Sequence, residues 1–190
     1  AESGSGTRAF TVDSTARKGK SVVVVESLEL GGEEIAVHAD IEDEYQTVTF
    51  VEPEIGTSAA GTDGEKELGT NAEGTLVDTV TFKSLVPGKT YTINGILMDK
   101  ATGEPLQVGG AEVTATATFT PEEPSGTVDV VFTFDATSLK GKTVVVFESL
   151  EYEGVEIAVH ADIEDEGQTV TFGEEKPPKI GTTAKAEDGS

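Results

Sequence analysis

Apolar residues in this chain fall on alternate positions far more often than on every third or fourth. Runs such as Val22–Val25, Val113–Phe119, Val128–Phe134 and Thr143–Phe147 are β-branched or alternating. A period of two puts one row of side chains on a core face and the next in solvent. Branched and aromatic side chains also suit a pleated, half-buried surface. Between the runs lie Pro87-Gly88, Thr102-Gly103, Pro124-Ser125-Gly126, Gly141 and Gly154, residues that close short connections. No stretch of useful length has helical spacing. The pattern predicts an all-β protein, an immunoglobulin-like antiparallel sandwich of short strands.

The pattern also repeats. Residues 10–50 align without gaps to residues 132–172, with 31 of 41 positions identical. Both copies end in Gln-Thr-Val-Thr-Phe, at Gln46–Phe50 and Gln168–Phe172. A second echo follows each: Glu54-Ile55-Gly56-Thr57-Ser58-Ala59 matches Lys179-Ile180-Gly181-Thr182-Thr183-Ala184. A repeat of about 125 residues, met in mid-unit, is the expected organisation. Residues 1–50 form the C-terminal part of one unit, 51–54 a linker, 55–172 a complete unit, 173–178 a second linker and 179–190 the first strand of a third. The complete unit suits one sandwich domain. The piece 1–50 is expected to be unable to bury a core by itself.

Four polar residues break the alternation on faces that otherwise read as core. Asp78 shares its face with Val80 and Phe82, and Glu148 with Val144, Val146 and Leu150. Gln168 shares its face with Val170 and Phe172, and Thr57 with Ile55 and Ala59. Buried carboxyls without partners are costly, so these groups are expected to meet one another. His160 has a less clear phase, with only Ala158 beside it. Singly, each residue has an ordinary explanation: a capping carboxylate, a packed histidine, a solvent-facing glutamine. The first copy nevertheless carries Glu26, His38 and Gln46 at identical spacings.

Charge and composition narrow the functional classes. Thirteen basic against 36 acidic residues give a net charge of −23, which opposes binding to nucleic acid or to an anionic membrane surface. No apolar run approaches the roughly 20 residues of a membrane-spanning helix. There is no cysteine, so a secreted β protein of this kind has to be stabilised by its core, by a metal or by a crosslink other than a disulfide.

The residues together resemble a known family, the VaFE repeat or Thr–Gln ester-bond domain of Gram-positive surface adhesins. The resemblance rests on the opening Ile55-Gly56-Thr57-Ser58-Ala59, on Val77-Asp78-Thr79, on Val145-Val146-Phe147-Glu148, on His160, and on Gln168 eight residues later. It implies sandwiches stacked in a stalk, in an extracellular protein anchored to the cell wall. The partners implied are neighbouring repeats and a host ligand bound elsewhere on the full protein. It further implies an autocatalytic ester between the Thr57 hydroxyl and the Gln168 side chain, with loss of ammonia and no cofactor or metal. Asp78, Glu148 and His160 would assist. Glu26, His38, Gln46 and Thr182 would be their incomplete equivalents in the flanking repeats, unable to react within one chain.

A hydroxyl is a weak nucleophile and a carboxamide a poor electrophile. The reaction needs a base for the Thr57 proton and an acid for the departing nitrogen. Imidazole is suited to both. On the resemblance, Asp78 orients His160, and Glu148 keeps its proton and polarises the Gln168 carbonyl. Other readings are weaker. A Lys–Asn isopeptide sandwich lacks a lysine in Ile55–Ala59. A calcium module built on Asp162, Glu164, Asp165 and Glu166 lacks the spacing of a calcium loop. An uncrosslinked ligand-binding sandwich would need an aromatic cluster that is not evident. A turnover enzyme is not expected, because both reacting groups belong to the chain.

Overall fold

A computed structural model of the chain describes residues 4–10, 12 and 19–174. It divides into two compact units, Ala1–Glu52 and Pro53–Ser190. The 179–190 strand and Thr182 lie outside the described residues.

The first unit contains strands β1 (Ser21–Val23), β2 (Glu26–Leu30), β3 (Glu33–His38) and β4 (Thr47–Thr49), with one 3-10 turn at Glu44–Gln46. β1 pairs β4, and β2 forms a hairpin with β3. None of its described residues is buried. Leu28 is exposed, although its counterpart in the second unit, Leu150, is fully buried. The physical reason is that a hairpin and a two-stranded ladder have no second sheet to cover them.

The second unit is a sandwich. Its strands are β5 (Glu54–Gly61), β6 (Glu67–Leu68), β7 (Gly74–Lys83), β8 (Tyr91–Asp99), β9 (Glu104–Pro105), β10 (Gln107–Val108), β11 (Ala111–Glu112), β12 (Thr114–Phe119), β13 (Gly126–Phe134), β14 (Thr143–Tyr152), β15 (Val155–His160) and β16 (Thr169–Phe172). One sheet runs β13-β7-β5. The other runs β12-β8-β14-β16-β6, with β15 on β14 and β9 on β8. All pairs are antiparallel except β16 with β6.

Alternation fixes which face of each strand is inside. Along β7, Leu76, Asp78, Val80 and Phe82 are buried. Along β8 the inward row is Tyr91, Ile93, Gly95, Leu97 and Asp99. These rows close over one core with Val130, Phe132, Val144, Val146, Leu150, Val170 and Phe172. Phe134 and Phe172 meet edge to face at 5.8 Å and 79°, a favoured aromatic geometry. Gly95 has a packing reason: a Cβ there would lie 2.6 Å from Cζ of Phe132.

The hairpin of β14 and β15 turns through Glu153 and Gly154, both with positive φ (51° and 76°), the geometry of a tight two-residue turn. Gly31 and Gly32 do the same between β2 and β3. Both hairpins slip register at the same place, between Leu28 and Glu29 and between Leu150 and Glu151. In the second hairpin Leu150 faces Ala158 and Glu151 faces Glu156, which leaves Ile157 as the extra residue. This bulge shifts the phase of the strand and explains why strict alternation left His160 ambiguous.

Candidate functional site

Four of the residues expected at core positions converge inside the second unit. On β5, Thr57 pairs with Val80 and Ala59 with Asp78, so Thr57 and Asp78 point to the same face of their sheet. On the opposing sheet, Glu148 of β14 lies across from Gly95 of β8 and from His160 of β15. Gln168 stands in the turn immediately before β16. Asp78 and Gln168 are fully buried, and Glu148 is 2% exposed. Thr57 is half-buried.

One carboxyl oxygen joins the two sides. The Thr57 hydroxyl donates to Oε2 of Glu148 at 3.3 Å, and Nε2 of Gln168 donates to the same oxygen at 3.4 Å. The other polar atoms of the cluster are buried without a hydrogen-bond partner: both oxygens of Asp78, Oε1 of Glu148 and Oε1 of Gln168. Such atoms are rare in folded proteins and gather where function demands them.

Burial pushes the Glu148 carboxyl up to about 10, with the adjoining Asp78 acting in the same direction. Glu148 therefore carries a proton at neutral pH. Burial raises Asp78 as well, offset in part by Glu148, by the charges of His160 and Lys66 and by the Ser58 amide. Two carboxyls so close hold one proton between them more readily than two charges.

His160 ends β15 and is half-buried. Its Nε2 bonds Oδ2 of Asp165 at 2.7 Å. The resemblance assigned the orienting carboxylate to Asp78. The structure instead gives the imidazole's hydrogen bond to Asp165. Asp165 also builds the turn that presents Gln168. Its Oδ1 accepts from Gly167 N–H at 2.7 Å, and its backbone oxygen accepts from the Thr169 hydroxyl at 2.7 Å and from Gln168 N–H at 3.2 Å. Burial raises the Asp165 carboxyl, but these bonds and the nearby imidazole outweigh it and hold the group below its usual value. The signal was present in the sequence: His38 and Asp43 repeat the spacing, and Nε2 of His38 bonds Oδ2 of Asp43 at 2.8 Å. Asp165 was hidden in an acidic run that reads as solvated.

In the first unit the equivalents keep their local geometry without the cluster. Glu26 faces His38 across the hairpin. Val24 N–H donates to the backbone carbonyl of Gln46 at 3.0 Å, as Val146 N–H does to the backbone carbonyl of Gln168 at 3.2 Å. Glu26 and His38 are exposed. Among the described residues, no group of three or more acidic, histidine or cysteine side chains is arranged to hold a metal.

Fold and site define a class: a β-sandwich whose first and last strands bring a hydroxyl and a carboxamide to one buried, protonated carboxyl. A family model described as "T-Q ester bond containing domain" matches residues 1–50 and 53–172, and the chain belongs to that family. Two crystal forms of a bacterial adhesin from Mobiluncus mulieris, containing intramolecular disulfide, isopeptide and ester bond cross-links, share the fold. Each is 20% identical with a TM-score of 0.51, over 66% of this chain and 58% of the adhesin chain. The chain thus spans little more than half the length of those structures. No curated protein matches it.

Proposed function

We propose that the unit spanning residues 55–172 crosslinks itself once through an ester between Thr57 and Gln168, as a structural repeat of a cell-surface adhesin stalk. The observation that carries this reading is the sharing of Glu148 Oε2 by the Thr57 hydroxyl and the Gln168 carboxamide, 3.3 and 3.4 Å away.

Half a turn of the Gln168 carboxamide exchanges its nitrogen and oxygen, atoms of nearly equal size. It brings the orphaned carbonyl oxygen to Oε2 of Glu148, and with the Glu148 proton on that oxygen the carboxyl donates to it and supports the developing negative charge. The Thr57 oxygen attacks Cδ of Gln168 while its proton passes to His160. Collapse of the tetrahedral centre breaks the Cδ–Nε2 bond, and the imidazolium returns the proton to the departing nitrogen. One O–C bond forms, one C–N bond breaks and one ammonia leaves. Asp165 holds the imidazole in place and stabilises its charged form.

Placing the two groups side by side in a folded sheet is worth about 7–11 kcal/mol of barrier. Burial of Gln168 and Glu148 then shields the product from water. Both reacting groups are consumed, so there is no turnover. In a wall-anchored stalk the bond ties the first strand of the domain to the last, so tension and proteases meet a closed unit. Neighbouring repeats are the partners of this region, and a host ligand binds elsewhere on the full protein.

Intact mass tests the reading. The wild-type chain is expected to be lighter than its sequence by one ammonia, and Thr57→Ala to have its full mass. Hydroxylamine should open the wild-type bond, as expected of an ester. A wild type of full mass would remove the crosslink, and a loss of two ammonias would show that the first unit reacts too.

A further inference from the structure

The connection between β5 and β6 carries a side chain that this chemistry does not use. Nζ of Lys66 donates to the carbonyl oxygen of Ala59 and to that of Gly167, at 2.5 Å each. Ala59 lies two residues beyond Thr57 on the same face of β5, and Gly167 immediately precedes Gln168. One ammonium therefore ties together the backbones of the two segments that carry the reacting groups. The segments also meet directly, through Ala59 N–H and the Gly167 oxygen at 3.0 Å. The lysine's own backbone is pinned in turn, since its carbonyl accepts Thr171 N–H of β16 at 2.9 Å.

A lysine ammonium usually stays hydrated, and ordering its long side chain costs entropy. Here it is partly desolvated. Burial draws Lys66 below its usual value, and the charges of Asp165 and Asp78 act in the opposite sense. A compact cation with three donors can bridge two carbonyls from different segments, and bonds with a charged donor are about twice as strong as neutral ones. Ester formation is the step most sensitive to such a bridge, because a displacement of about 1 Å between reacting groups costs up to about a hundredfold in rate.

We infer that Lys66 is a positioning residue for ester formation, clamping the Thr57 strand to the Gln168 turn so that hydroxyl and carboxamide meet at Glu148. The inference rests on the crosslinking function proposed above.

The test is a time course of ammonia loss. The chain is isolated unreacted in denaturant, refolded at neutral pH, quenched in acid and weighed intact, with rates normalised to the folded fraction. Lys66→Met is expected to slow the reaction between about tenfold and a hundredfold, and Lys66→Arg, which keeps charge and paired donors, to recover most of the rate. If Lys66→Met does not fold, Lys66→Gln against Lys66→Arg decides. A slow Gln variant and a fast Arg variant support the clamp, and equal rates overturn it. A wild type that reacts no faster than Lys66→Met removes the role of Lys66 and leaves the crosslink standing. A wild type that keeps its ammonia removes both.

Discussion

His160 and Asp165 lie five residues apart and meet at 2.7 Å, closing the end of β15 onto the turn that presents Gln168. The contact serves two ends at once, since the same aspartate orients the imidazole and shapes the turn. Asp165→Asn should therefore slow ammonia loss by about a hundredfold, read by the same mass time course. Its acid behaviour should change as well. A carboxylate held below its usual 3.8 contributes stability that is present above that value and disappears as pH falls through the lower folded value. As pH falls below about 4, the wild type should lose more stability than Asp165→Asn.

Glu148 predicts the opposite slope. Its folded value of about 10 against a usual 4.5 means that the folded chain keeps a proton that the unfolded chain releases. Stability of the uncrosslinked Thr57→Ala chain should fall as pH rises through that window, by up to about 1 kcal/mol per pH unit. Adding Glu148→Gln, which is neutral at every pH, should reduce the slope, leaving what the raised Asp78 contributes. Urea midpoints from pH 5 to 9 with the same slope in both chains would show that the Glu148 assignment is wrong.

Removal of the crosslink should cost stability through the unfolded state. The proposed Thr57–Gln168 bond would close a loop of more than a hundred residues, worth about 4–5 kcal/mol on the chain-entropy model used for disulfides. Thr57→Ala should melt cooperatively at a lower denaturant concentration, with its secondary structure unchanged by circular dichroism. An unchanged midpoint would show that no loop is closed in the wild type.

Gly95 offers a purely steric test. Its missing Cβ makes room for Phe132 directly across the ladder from Glu148. Gly95→Ala should destabilise the domain by about 1–3 kcal/mol and slow crosslinking, because Phe132 has to move beneath the Glu148 carboxyl. Gly88→Ala, in a connection away from the cluster, should leave the crosslinking rate of the folded protein unchanged.

Much of this was legible from alternation. Asp78 between Leu76 and Val80, and Glu148 between Val146 and Leu150, announce themselves as polar groups on an apolar face, and both are buried. Duplication strengthened that reading by repeating Glu26, His38 and Gln46. Three features were not legible for physical reasons. The bulge at Ile157 broke the period that would have placed His160. Asp165 was camouflaged among acidic neighbours, although His38 and Asp43 carried the same spacing. Lys66 sits in a turn, where no periodicity tells inside from outside, and its bonds go to backbone oxygens that any residue supplies.

The single Glu148 oxygen that receives both Thr57 and Gln168 has a consequence for quality control. Only a chain with β5, β14 and the β16 turn in register brings the two groups to that atom. If the proposed ester forms, loss of nitrogen becomes a lasting mark of correct assembly, written into the covalent structure and readable long after folding. On that reading a molecule that has lost the mass of one ammonia is one that has passed through this arrangement.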